Sequence, residues 1–200
     1  MLRNSVDALK ARPQLFRAKL GVYIFIVSLA IFFVAALIAF AIIRTSVAID
    51  LMPLEMPSSF WGSTLVLVAI SFLLHFAVVN VRQEKQIQFR RYLTTAVVLA
   101  FVFLILQGEG MYRLISTHFS TTDGSGKLYG IGFTLALIHA FHVIGGVVFL
   151  IYIGVQMSKD RYDHERHWTV DICATYWHFL DVIWILMLAT LWLTESSLRG

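Results

Sequence analysis

Long apolar runs separated by short polar segments dominate the sequence. Five such runs, each of about 20 residues or more, occupy positions 20–43, 60–81, 92–111, 128–157 and 172–193. An apolar run of roughly 20 residues crosses the ~30 Å hydrocarbon core of a bilayer, and within lipid a helix satisfies its backbone hydrogen bonds. The pattern therefore predicts an all-α fold, a polytopic membrane protein built as a bundle of five transmembrane helices.

Positive charge alternates between the polar segments. Twelve of the 16 Lys and Arg residues lie in the N-terminal segment 1–19 and in the loops 82–91 and 158–170. The other four, in the loops 44–59 and 112–127 and in the tail 194–200, are Arg44, Arg113, Lys127 and Arg199. Because cytoplasmic loops of membrane proteins carry the excess of Lys and Arg, this distribution predicts a cytoplasmic N-terminus and an external C-terminus.

The composition supports a membrane protein and limits the alternatives. Hydrophobic residues make up 58% of the 200 residues and charged residues 14%, and the mean hydropathy is +0.77. The net charge of +4 is spread over the loops as a topology signal, so we expect no nucleic-acid partner. The single cysteine, Cys173, excludes an intramolecular disulfide and a cysteine metal cluster. The polar, basic start and the long first run do not fit a cleavable signal peptide.

Polar side chains interrupt the apolar runs, most densely in the last one. Trp177, His178, Asp181 and Trp184 lie there within two helical turns, and Trp177, Asp181 and Trp184 share one stripe. Other polar residues inside the runs are His75, Asn80, Gln107, Glu109, His139, His142 and Asp171. Ionisable groups are costly in lipid, so these side chains should face protein. Their simplest role is interhelical hydrogen bonding, at ~0.6–2 kcal/mol each.

Three other interpretations of the polar residues stay open at this point. The histidines could ligate haem or copper, because imidazole binds both. Glu109, Asp171 and Asp181 could form a proton relay. The polar face could instead pack on another membrane subunit or on anionic lipid headgroups, which Arg82, Arg90 and Arg91 would favour. Five spans without a soluble domain favour an accessory membrane subunit.

Several motifs, taken in order, resemble cytochrome c oxidase subunit III. The most specific is Tyr176-Trp177-His178-Phe179-Leu180-Asp181-Val182-Ile183-Trp184, which is similar to the last-helix signature of that family. Asp171 stands where the family usually has a glutamate. The weaker matches are His139-Ala140-Phe141-His142-Val143-Ile144-Gly145-Gly146, Pro53-Leu54-Glu55-Met56-Pro57, Leu106-Gln107 and His75.

The resemblance implies an all-helical subunit without a redox centre of its own. Such a subunit packs against the catalytic subunit I, contacts subunit II and other membrane subunits, binds phospholipid and supports proton uptake, while haem and copper lie in the partner subunits. The chain would be a non-catalytic part of a respiratory oxidase in the cell membrane. The implied structural, interface or lipid-contact residues are Glu55, His75, Gln107, Glu109, His139, His142, Asp171, Trp177, His178, Asp181 and Trp184.

The chain also departs from the family pattern. It matches the last five of the usual seven helices, as shorter bacterial members do. Leu29 stands at the position of a family glutamate, and Gly110-Met111 stands at a Glu-Tyr pair, with Glu109 one position earlier. Two alternative functions stay open: an accessory subunit of nitric oxide reductase, and a free-standing haem or proton-transport membrane protein.

Overall fold

Five long helices make up the described part of the chain, residues 2–46, 58–120, 126–159 and 168–196 of a computed structural model. The helices are α1 (Leu2–Ser46), α2 (Ser58–Arg82), α3 (Gln86–Ser120), α4 (Gly126–Ser158) and α5 (Trp168–Ser196). Each contains a segment long and apolar enough to cross a membrane. The predicted all-α bundle with five membrane spans is therefore confirmed, and the chain is a multi-pass membrane protein.

The helices extend beyond the apolar runs. α1 already begins at Leu2, within the predicted polar segment 1–19, and α3 begins at Gln86, within the predicted 82–91 loop. α5 begins at Trp168, four residues before its apolar run. Hydropathy marks where lipid contact ends, whereas a helix continues into water as long as its backbone hydrogen bonds continue.

α2 and α3 form an antiparallel hairpin with a very short turn. Lys85 N–H donates to Asn80 C=O at 3.0 Å, and Glu84 N–H donates to Val81 C=O at 3.3 Å. These two bonds form a Schellman motif, in which Glu84 takes the left-handed position with a φ of 60°. Glycine usually fills this position because it has no Cβ, so Glu84 holds the turn at a steric cost.

The buried faces of α2 and α3 repeat with alternating spacings of three and four residues. Such spacing keeps one seam facing a partner helix that runs nearly antiparallel to it. The buried seam of α2 is Phe60, Ser63, Leu67, Ile70, Leu74, Ala77 and Val81. The buried seam of α3 is Phe89, Leu93, Ala96, Ala100, Phe103, Gln107, Gly110 and Leu114.

α5 is the central helix of the bundle and contacts α1, α2 and α4. α1 packs through one stripe, Leu29, Phe33, Leu37 and Phe40, and most of its other described side chains are exposed. Leu29, which the resemblance places at the position of a family glutamate, is only 8% exposed and belongs to this core stripe. The outward surfaces of all five helices carry large apolar side chains, as lipid-facing helices require.

Candidate functional site

The two tryptophans of the last-helix motif fasten α5 to its neighbours. Trp184 is buried, donates its indole N–H to the Thr64 hydroxyl of α2 at 2.9 Å, and stands edge-on to Phe60 at 5.3 Å. Trp177 is also buried and donates to the Gly146 carbonyl of α4 at 3.3 Å. The predicted stripe is therefore buried, and its two indoles connect α5 to two different helices.

Glycine at position 146 allows α4 and α5 to approach closely. A Cβ there would lie 3.2 Å from Leu180 and 3.3 Å from Tyr176. Tyr176 also donates its hydroxyl to the His142 carbonyl at 3.0 Å. Small residues at such crossings are typical of helix pairs in membranes. Gly146 thus serves contact within the chain, whereas Gly145 is exposed.

His178 and Asp181 face a groove between α5 and α2. His178 is half-buried, and its Nδ1 is hydrogen-bonded to the Ser71 hydroxyl of α2. Asp181 is 6% exposed; the Ser71 hydroxyl lies near its carboxylate, but neither oxygen has a partner in hydrogen-bonding geometry within residues 2–46, 58–120, 126–159 and 168–196. His75 lines the same groove from α2. The structure thus brings three predicted site residues together: His75, His178 and Asp181.

A second, more polar cavity lies beside this groove at the end formed by the C-terminus of α2 and the start of α5. Its volume is about 370 Å³, and it shares His75 and His178 with the groove. Lys19 contributes from α1, and Arg82 pairs with Asp171 at 3.0 Å. Asp171 thus sits in an ion pair between α5 and α2, with its side chain 25% exposed.

The His139-Ala140-Phe141-His142 motif packs into the aromatic core. His139 is fully buried, stacks on Trp184 at 5.4 Å and meets the edge of Phe33 at 6.0 Å. Neither of its ring nitrogens has a hydrogen-bond partner in the described ranges. His142 pairs its Nδ1 with the Ile138 carbonyl at 2.8 Å. The His139 ring therefore joins α4 to α1 and α5, and the His142 ring meets Phe33 of α1 edge-on at 5.7 Å.

The remaining predicted residues lie away from the groove. Gln107 is buried in the α2–α3 seam and accepts a hydrogen bond from the Ser63 hydroxyl at 3.3 Å. Glu109 is exposed and pairs with Arg113 one turn along α3 at 2.6 Å. Glu55 lies outside the described residues. Of the three carboxylates considered for a proton relay, Glu109 thus pairs within α3, Asp171 pairs with Arg82 of α2, and Asp181 faces the groove.

Metal binding was one interpretation of the intramembrane histidines. Among the side chains that the structure describes, no group of three or more His, Cys, Asp or Glu residues is arranged to hold a metal ion. His139 and His142 lie in the aromatic core, whereas His75 and His178 face the groove.

The hydrogen-bond partners of the predicted site residues were not evident from the sequence. Thr64, Ser71 and Ser63 on α2 supply the hydroxyl groups that bind Trp184, His178 and Gln107. Ser71 follows Thr64 and Ser63 by seven and eight residues, about two helical turns, so the three hydroxyl groups lie on one side of α2. Serine and threonine are common in membrane helices, so this signal alone does not single them out.

Comparison with known proteins gives a consistent family match. The family model described as cytochrome c oxidase subunit III matches residues 14–196. Cytochrome c oxidase subunit 3 of Marchantia polymorpha is 30% identical over 186 residues, which cover 86% of this chain and 66% of that protein. The mouse subunit 3 is 30% identical over 141 residues, covering 70% of this chain and 51% of the mouse protein.

A bacterial relative matches over more of its own length. Cytochrome bo(3) ubiquinol oxidase subunit 3 of Buchnera aphidicola is 25% identical over 178 residues, which cover 88% of this chain and 86% of that protein. The chain thus spans just under two thirds of the Marchantia protein and about half of the mouse protein, but most of the Buchnera protein.

Proposed function

The chain belongs to the cytochrome c oxidase subunit III family, and from this premise we propose that it is the accessory, non-redox subunit of a respiratory haem–copper oxidase. The complex would reduce oxygen to water and pump protons, with haem and copper in the partner subunits. The family match over residues 14–196 carries this proposal. Relatives named for cytochrome c and for ubiquinol oxidases are both similar to the chain, so either electron donor fits.

The use of the histidines supports a non-redox role. His139 is enclosed by Phe33 and Trp184, His142 is hydrogen-bonded to its own helix, and His178 is paired with Ser71. A haem held by two histidines takes one ring nitrogen from each, on opposite faces of the iron. His139 and His142 lie on one helix and both contact Phe33, whereas His75 and His178 face the groove.

We propose phospholipid binding at two cavities. An apolar cleft of about 560 Å³, between α1, α4 and α5, is lined by Phe25, Phe149, Tyr152 and Trp168 and suits acyl chains. The polar cavity that contains Lys19 and Arg82 suits the headgroup of an anionic lipid. Lipid bound in these cavities would stabilise the contact between this subunit and its partners.

The proposed partners are oxidase subunit I, through direct helix packing, and subunit II with the other membrane subunits. Large apolar side chains on the outer faces of the helices support such packing. Placed beside subunit I, the subunit would support proton uptake through the polar groups at the Arg82–Asp171 end. With twelve Lys and Arg residues on one side, we place the N-terminus in the cytoplasm and the chain in the cell membrane.

Removal of the chain tests the accessory role. Membranes from cells that lack it should keep the haem spectrum of the oxidase and begin to reduce oxygen, yet lose activity faster during sustained turnover. Reintroduction of the chain should restore the durability. Loss of the haem signal with the partner subunits still present at normal levels would contradict a non-redox role, and unchanged durability would contradict a supporting one.

A further inference from the structure

The groove between α2 and α5 has a polar floor and apolar rims. Its volume is about 420 Å³. Ser71, His178 and Asp181 form the floor, and Phe72, Val182 and Ile185 lie along the rims. The rim side chains are 61%, 53% and 45% exposed, so the groove opens to the outside of the bundle.

Asp181 is the unsatisfied group on this floor. Asp181 is 6% exposed, and neither carboxylate oxygen has a partner in hydrogen-bonding geometry within the described part of the chain. The nearby Ser71 hydroxyl also contacts His178, and its single proton can serve only one of the two carboxylate oxygens. A buried polar group without a partner costs about 1–3 kcal/mol, and nearly all such groups in native proteins are paired. The groove therefore requires an occupant that brings a hydrogen-bond donor.

The depth of Asp181 in the membrane limits which kinds of molecule can occupy the groove. Asp181 lies 13 residues after the start of α5 at Trp168, ~20 Å along the helix axis, which is near the middle of a span. Phospholipid headgroups lie at the membrane surface, well above this depth. The adjoining polar cavity shares His75 and His178 with the groove, so water can reach that end of it. At the depth of Asp181 the groove opens to hydrocarbon, where water persists only if protein covers the groove.

We propose that a transmembrane helix of another subunit of the complex docks in this groove and offers an uncharged hydrogen-bond donor to Asp181. This rests on the proposed function, because it identifies where the partner contact lies. The donor must be a side chain, since the backbone N–H groups of a helix are bonded within it. A hydroxyl, amide or indole suffices, whereas Lys or Arg would bring a second costly charge to this depth.

Photo-cross-linking from single positions tests the location. A photoreactive phenylalanine analogue replaces Phe72 on the groove rim, in the full chain within its native membrane. The matched control replaces Phe141 of α4, which is 64% exposed and lies away from the groove. Cross-linked partners are identified by mass spectrometry after mild purification. We expect a transmembrane peptide of a partner subunit from position 72 and none from position 141.

Other cross-linking results would overturn the inference. In a complex that still co-purifies, position 141, but not position 72, could cross-link to partner peptides. That result would refute docking of a partner helix in the groove, and the proposed function would be unaffected. Cross-links from position 72 to lipid or quinone alone would also refute it. If no oxidase subunit co-purifies even without a cross-linker, the proposed function itself fails.

Substitution of Asp181 tests the chemistry of the contact. Asp181→Leu should lower the recovery of the partner subunit by between about threefold and thirtyfold, the range for one interhelical hydrogen bond. Asp181→Asn, which keeps one acceptor oxygen, should retain most of the recovery. The amount of the chain in membranes should change little, because within the described chain the carboxylate of Asp181 has only the nearby Ser71 hydroxyl as a neighbouring donor. If Asp181→Asn lowered the recovery of the partner subunit as much as Asp181→Leu does, the proposal of an uncharged donor would be wrong.

Discussion

Single hydrogen bonds and ring contacts determine how α5 sits in the bundle. Within lipid the hydrophobic effect does not hold helices together, so close packing and polar contacts must do so. Trp184 contributes both, through its bond to Thr64 and its ring contacts with Phe60 and His139. Its indole connects α2, α4 and α5 at one point, so the last-helix motif has a structural role before any functional one.

Trp184→Phe removes the hydrogen bond and part of the packing of the ring. The change removes the indole N–H that Thr64 accepts at 2.9 Å and leaves a smaller aromatic ring between Phe60 and His139. We expect a loss in stability of more than about 1 kcal/mol, because the cost of the cavity adds to that of one interhelical hydrogen bond. Trp192→Phe is the control, because Trp192 is 53% exposed. Unfolding in detergent measures both; equal stability of the two variants would contradict the role of the bond.

The identity of the buried residues could be predicted, but their partners could not. The cost of polar groups in lipid predicts that Asp181, Trp177 and Trp184 are turned towards protein, and all three are buried. Their partners lie 31 and 120 residues away for the two indoles. One of these partners is a backbone carbonyl, whose position depends on how the helices cross.

The α2–α3 hairpin depends on glycine at one position of α3. A Cβ at Gly110 would lie 2.2 Å from Phe60, which is itself 2% exposed and held against Trp184. Gly108, two residues earlier, has open space around it. Gly110 therefore allows Phe60 of α2 to pack closely against α3, whereas Gly108 makes no such contact.

Gly110→Ala should therefore destabilise the bundle by about 1–3 kcal/mol, the usual cost of overpacking a core. Gly108→Ala is the matched control and should be neutral or stabilising by up to ~1 kcal/mol, because alanine favours a helix. Thermal unfolding of both variants in detergent gives the comparison. Equal midpoints, or a less stable Gly108→Ala, would show that α2 and α3 do not approach each other as described.

The number of helices could be predicted, but not where each one ends. Five apolar runs predict five spans, because the thickness of the bilayer sets their length. The runs do not predict that α3 begins at Gln86 or that Glu84 closes the turn with a positive φ. Lipid selects for apolar residues only within its core, while the ends depend on local capping bonds.

The arrangement of the five helices is the least predictable feature. All five helices are apolar around most of their circumference, so hydropathy does not indicate which faces meet. The central place of α5 depends on two kinds of contact. Gly146 of α4 leaves room for Tyr176 and Leu180 of α5. Hydrogen bonds join Thr64 to Trp184 and Ser71 to His178. The groove at Asp181 results from this arrangement and could not be located from the sequence.

The topology of the whole chain is tested by labelling introduced cysteines. The proposed orientation places the α2–α3 turn in the cytoplasm, so Lys85→Cys should resist a membrane-impermeant maleimide added to intact cells. Ser58→Cys, at the other end of α2, should be labelled. Native Cys173 gives little background because it is 1% exposed. The reverse labelling pattern would show that the chain has the opposite orientation in the membrane.

The central claim is that this chain works as a non-redox subunit of a haem–copper oxidase. The most direct test is purification of the tagged chain in mild detergent, with an absorption spectrum and mass spectrometry of the eluate. We expect haem and copper to co-purify with a large subunit I, and to be lost when a harsher detergent strips the chain of its partners. A chain that elutes alone and colourless, or one that keeps stoichiometric haem after the partners are removed, would contradict the claim.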